Sequence, residues 1–169
     1  MSPPQEPRAA LTKLALKRAD LFEMVTTDDW LRTTPFIKAL GTLADSVLKQ
    51  GTARRYPNLV PVFQLGEPGT SLFFVLKGEV RLSGRKGTES VEVGTAARGE
   101  VFGEEEVLSG VALRTGFAVA QGEVDVAELP RVALLQRGEL LREVSSFLTP
   151  IKAARQAALH EMTDFMNRW

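Results

Sequence analysis

The spacing of apolar positions changes twice along this chain. From Arg8 to about Val25, RAALTKLALKRADLFEMV sets Leu11, Leu14, Ala15, Leu21 and Phe22 near helical spacing. The polar run TTDD follows, with Thr27 or Asp28 a natural N-cap ahead of Trp30 and Leu31. TPFIKALGTLADSVLKQG then predicts one or two further short helices closed by Gly51 as C-cap. At Thr52 the texture turns strand-like. TARRYP, LVPVFQLG, SLFFVLKGEVRLSG, SVEVGTAARGEVFG and GFAVAQGEVDVAELP are short runs rich in valine and phenylalanine. Glycine-bearing turns separate them about every 8–12 residues, the pattern of an antiparallel sandwich or barrel. LGEPGTS (Leu65–Ser71) and KGE (Lys77–Glu79) read as turns, and SGRKGTES as an exposed hairpin loop. From Pro130 the helical period returns. PRVALLQRGELLREVSSFL predicts one or two short helices, and TPIKAARQAALHEMTDFMNRW a longer one with Thr149 as N-cap and Pro150 in its first turn.

The expected organisation is therefore a disordered, proline-rich tail at 1–7, a helical segment at 8–51, a β domain at 52–129 and C-terminal helices at 130–169. That is a mainly β fold with flanking helices. At 169 residues and 44% hydrophobic content the chain is long and apolar enough for one domain with a real core. Twenty-one basic residues balance 21 acidic ones, so no overall field draws it to nucleic acid, and no nucleic-acid partner is expected. The N-terminus has no apolar core of a signal peptide, and no run approaches the roughly 18 apolar residues of a membrane span. No membrane insertion and a cytoplasmic location are the expectations, and the absence of cysteine fits a reducing compartment.

Chemistry is limited by a single histidine, His160. A cupin-type metal centre needs two or three histidines with a carboxylate, so no metal site is expected. Ser71, Ser83, Ser90 and Ser109 fall in turns with no second histidine to activate any of them, so no enzyme is expected. His160 itself reads as a surface or interface residue.

Two stretches carry a resemblance. RRYPNLVPVFQLGEPGTSLFFVLKGEVRLSG resembles the first half of the cyclic-nucleotide-binding domains, of the catabolite-activator type, and GEVFGEEEVLSGVALRTGFAVAQGEVDVAELP resembles the second half, including its phosphate-binding cassette. The likeness covers roughly residues 33–148. It implies a double-stranded β-helix, or jelly-roll-like β-roll, with an N-terminal helical segment, a C-terminal helix and a cassette at about 102–115. It also implies a non-enzymatic regulatory module sensing a cAMP- or cGMP-like ligand. A cyclic phosphate needs a cation and backbone N–H groups at a helix start, and a ribose hydroxyl needs a carboxylate. The resemblance assigns those roles to Gly103, Glu104 and Arg114, with Thr115 reaching purine or phosphate and Glu105 having bacterial precedent.

The alternative is a degenerate roll that binds no nucleotide, with Glu104 and Arg114 paired across an empty cassette, serving as an interaction or structural subunit of a larger assembly. Glu106 argues most for it, because a further carboxylate beside a phosphate weakens attraction unless it points to solvent. On the terminal helix Ile151, Ala154, Ala158, Met162, Phe165 and Trp169 recur at steps of three and four. Three uses of that stripe stay open: packing on the chain's own roll, a homodimer or partner seam, or a lid in which Phe165 or Trp169 stacks on a base. No helix-turn-helix or catalytic domain is apparent after it, so a stand-alone module acting through a protein partner is the expectation.

Overall fold

The computed structural model describes residues 19–167, with side chains to residue 162. Two hydrophobic cores lie on the two faces of one bent antiparallel sheet. Its centre is a pair of long strands, β4 (Leu72–Lys86) and β7 (Gly116–Leu129), joined from Leu72↔Leu129 to Gly84↔Gly116. The outer edge of β7 carries β2 (Thr52–Tyr56) and then β3 (Pro61–Phe63). The outer edge of β4 carries β6 (Val101–Phe102) and then β5 (Glu89–Ala96). A short β1 (Ala19–Asp20) extends the sheet beyond β2.

The sheet closes into a roll because both long strands bend at one level. The β4–β7 register shifts between Val75 and Lys77 and again between Lys77 and Glu79. Gly78 sits there at φ +86, and a Cβ on it would lie 2.7 Å from the Glu123 carbonyl. Only glycine fits that bulge, which bends the strand instead of ending it. The KGE read as a turn is thus a bulge inside a continuous strand. Most of SGRKGTES likewise belongs to the β4–β5 hairpin, leaving only a tight turn at its tip.

Alternation along β4 then sorts side chains. Phe73 and Val75 enter the roll with Phe63, Phe102, Val124 and Val126. Leu72, Phe74 and Leu76 face the flanking helices. Those helices are α1 (Leu21–Thr27), α2 (Asp29–Arg32), α3 (Pro35–Leu40) and α4 (Ala44–Leu48). Asp28 caps α2, its carboxylate accepting from the Trp30 and Leu31 N–H groups. The helix expected from Arg8 lies largely outside the described residues, and its described part starts only at Leu21, capped by Asp20. Gly51 is not a C-cap: α4 ends at Leu48, and Gly51 packs where a Cβ would meet Leu21 and Leu129 side chains at 2.5 and 2.6 Å.

Past the roll, QRGE forms a small hairpin, β8 (Leu135–Gln136) and β9 (Glu139–Leu140), not a helix. Arg137 and Gly138 both take positive φ, 54° and 81°, which supplies the twist of a two-residue hairpin turn. Between them, the short α5 (Glu104–Ser109) and the terminal α6 (Arg142–Asn167) complete the fold. α6 begins seven residues before Thr149, so Pro150 lies inside it and forgoes the backbone bond to the Ser146 carbonyl. Burial on both sides of the proline offsets that loss. Val144 and Leu148 are buried with α3, Phe147 meets Phe36 at a ring distance of 5.5 Å, and Ile151 packs on the same core. No helix of the described residues is long and apolar enough to cross a membrane.

The buried stripe of α6 runs through Val144, Leu148 and Ile151, whereas Ala154 is exposed. Leu148→Ala therefore destabilises the fold by about 2–5 kcal/mol, while Ala154→Ser stays within about 0.5 kcal/mol. Urea denaturation of the two variants checks this; equal effects contradict the stripe.

Candidate functional site

β6 runs directly into α5 through Gly103, and this joint builds the cassette. Gly103 takes φ +81, and a Cβ there would lie 3.0 Å from an Arg114 nitrogen, 3.1 Å from the Ser71 carbonyl and 3.2 Å from Phe73. Glycine is needed for both reasons, conformation and close approach. Beyond it come Glu104, Glu105 and Glu106, three successive positions of one helical turn. Each step along a helix rotates about 100°, so the three carboxylates leave in three directions.

Glu106 points inward. Its carboxylate accepts from Arg114 Nη1 at 2.8 Å and from the Thr115 hydroxyl at 3.1 Å. Arg114 is 3% exposed, and its remaining donors go to the Ser71 carbonyl at 2.8 Å and the Gly103 carbonyl at 3.3 Å. Its guanidinium also lies over the Phe63 ring, 4.4 Å from the centroid, and near Phe73 at 5.3 Å. The LGEPGTS turn holds the arginine's backbone: Gly66 N–H donates to the Arg114 carbonyl and Arg114 N–H to the Glu67 carbonyl, both at 2.8 Å. The arginine is thus fixed at backbone and side chain, with its charge met by Glu106. Burial holds the Glu106 carboxyl above the ordinary glutamate value; the Arg114 bond and charge and the Thr115 hydroxyl draw it back only in part.

Glu104 points the other way, to α6. It is 6% exposed and paired with Arg155, whose second nitrogen donates to the Val101 carbonyl at 2.9 Å. Glu105 lies at the rim, accepting from Thr115 at 3.1 Å and from Gln156 at 3.5 Å. Two of the three glutamates therefore hold the terminal helix and the third holds the interior of the roll.

A cavity of about 170 Å³ remains between α5, α6 and the roll. Phe63, Leu82, Val93, Phe117 and Leu159 form its apolar wall, and Glu104–Glu106, Thr115, Arg85, Lys152, Arg155 and Gln156 its polar one. Arg114 does not line it, because Glu106 stands between.

All five expected ligand residues, Gly103, Glu104, Glu105, Arg114 and Thr115, thus come together around the cassette. Glu104 is paired with Arg155, and Arg114 pairs with Glu106, not with Glu104. Of the expected interface residues, Ile151 packs on the core, Ala158 is half-buried and Met162 is 43% exposed. The side chains of Phe165 and Trp169 lie outside the described residues. Arg155, Lys152, Phe63 and Phe73 were not signalled individually. The available signal for Arg155 is its position four residues after Ile151 and four before Leu159, a charge on an otherwise apolar stripe.

The model of the "Cyclic nucleotide-binding domain" family matches residues 53–150, from β2 to the middle of α6. The chain belongs to this family. A search of curated proteins returned no match. Among solved structures, the regulatory domain of Toxoplasma gondii protein kinase A with cAMP is similar, at 19% identity and TM-score 0.66, over 79% of this chain and 50% of that one. So is the regulatory subunit of a cAMP-independent protein kinase A from Trypanosoma brucei, at 20% identity and TM-score 0.66, over 86% of this chain and 51% of that one. That form is a mutant bound to cAMP in its A site, with glutamate changed to alanine, threonine to arginine and valine to alanine. The Thermus thermophilus catabolite activator protein matches at 27% identity and TM-score 0.58, over 76% of this chain and 62% of that one. This chain spans only about half the length of the two kinase subunits. Glu106 lies within the matched range, on α5 and paired with Arg114.

The raised Glu106 carboxyl has a pH signature. Its proton is held more tightly in the folded chain, so its stabilising contribution is full below the unfolded value and fades as pH rises through the folded one. Glu106→Gln lacks that proton. The stability difference between Glu106→Gln and wild type therefore moves in favour of the glutamine variant as pH rises from 4.5. Urea denaturation at a series of pH values measures it, and movement toward wild type contradicts it.

Proposed function

We propose that this chain is a non-enzymatic regulatory module whose cassette is closed by its own carboxylate, acting without cAMP or cGMP and signalling to a partner protein through α6. The single observation that carries this reading is the buried Glu106–Arg114 pair. A cyclic phosphate reaching Arg114 gains a charge-assisted contact of about 1.5–3 kcal/mol. It must first displace Glu106 and leave a buried carboxylate unpaired, which costs about 3–5 kcal/mol. The second quantity is the larger, so the phosphate loses the competition.

Glu104 supports the same reading from the other side. Its carboxylate holds Arg155, so α6 is docked on the cassette by groups of the chain itself. A partner then reads the docked helix, and the regulatory input is whatever shifts its docking. The Trypanosoma brucei subunit offers a parallel among relatives, since the form with cAMP is one that has exchanged a glutamate and gained an arginine.

Isothermal titration with cAMP and cGMP tests the reading. Wild type gives no heat at millimolar nucleotide. Glu106→Ala, which keeps Arg114 and removes its competitor, gains at least about a hundredfold in affinity. Micromolar binding by wild type, lost in Arg114→Ala, overturns the proposal in favour of a nucleotide sensor.

A further inference from the structure

The cavity has a charge balance that points away from a nucleotide and toward another kind of ligand; this rests on the self-closed cassette proposed above. Of the acids on its wall, Glu104 is neutralised by Arg155 and Glu106 by Arg114 behind it. Glu105 remains, shared between Thr115 and Gln156. Two cations remain against it. Arg85 donates to the Gly87 carbonyl at 2.9 Å, a neutral partner, so its charge is not cancelled. Lys152 is half-buried and has no hydrogen-bond or ion-pair partner among the described residues. The uncancelled groups thus leave one net positive charge on the lining of the cavity.

The rest of the lining is aromatic and aliphatic: Phe63, Phe117, Leu82 and Val93 from the roll and Leu159 from α6. At about 170 Å³ the cavity is well below the volume typical of drug-sized ligand sites, roughly 300–1,000 Å³. It suits a body the size of one ring, packed among these apolar side chains.

We propose that this cavity binds a small planar organic monoanion, an aromatic monocarboxylate, whose acid group pairs with Lys152. The ligand sits reversed relative to a phosphate addressed to Arg114: its ring lies against the roll and its charge faces α6. That orientation follows from the position of the uncancelled cation: Lys152 is on α6, whereas Arg114 is already paired with Glu106. It also makes occupancy a direct contact with the terminal helix, because Lys152 and Leu159 are both on it.

The test uses benzoate as the anionic probe, benzamide as its neutral isostere, and cAMP, each titrated calorimetrically into the full chain. Benzoate binds wild type at least tenfold more tightly than benzamide. Lys152→Gln removes that preference, and Lys152→Arg retains it. A thermal unfolding scan without ligand confirms that each variant is folded. Benzamide binding as tightly as benzoate, an unchanged preference in Lys152→Gln, or no benzoate binding at ten-millimolar probe (about 10 mM, near the weak end of measurable affinity) each overturns this proposal. Binding of cAMP to wild type overturns instead the self-closed cassette on which it rests, so the two failures are distinguishable.

Discussion

A guanidinium and a carboxylate buried inside a β-roll have few ways to exist. Each is costly to desolvate alone, and together they persist only with good geometry and with their other hydrogen-bonding positions satisfied. Arg114 and Glu106 meet that condition: a 2.8 Å ion pair, two backbone carbonyls and an aromatic face for the arginine, and a hydroxyl for the glutamate. Once that pair is in place, the cassette has its anion. The position of α5, the direction of Glu104 and the docking of α6 through Arg155 all follow from the same turn of helix.

The fold supplies this turn through constraints set elsewhere. The bulge at Gly78 lets β4 serve both cores, one facing the helices and one inside the roll. Phe73 inside the roll then braces Arg114, while the neighbouring Phe74 helps anchor α3 and, through Phe36 and Phe147, α6. The cassette arginine and the terminal helix are therefore tied to adjacent residues of one strand, on opposite faces. α6 is held at both ends of its described contact surface: by apolar burial before Pro150 and by the Glu104–Arg155 pair after it.

Much of this was legible in the sequence because it is local. Valine- and phenylalanine-rich runs such as SLFFVLKGEVRLSG between glycine turns mark the strands, and the family resemblance carried by GEVFGEEEVLSGVALRT implies the roll and its cassette. What local pattern does not contain is partner choice. Nothing within a few residues of Glu104 shows that Arg155, 51 positions later, will neutralise it. Three successive glutamates look alike in sequence, yet a helical turn sends them to α6, the rim and the interior. Pro150 reads as a helix start by local rule, but tertiary burial of Val144 and Leu148 carries the helix through it. QRGE reads as helical until the left-handed pair Arg137–Gly138 makes it a hairpin turn.

The claim on which the rest depends is that Glu106 and Arg114 are energetically one unit. A double-mutant cycle of Glu106→Ala and Arg114→Ala, followed by urea denaturation at neutral pH, measures this directly. The account predicts strong coupling, about 2–3 kcal/mol, with the double variant much less destabilised than the sum of the singles. Additivity within about 0.5 kcal/mol would contradict it.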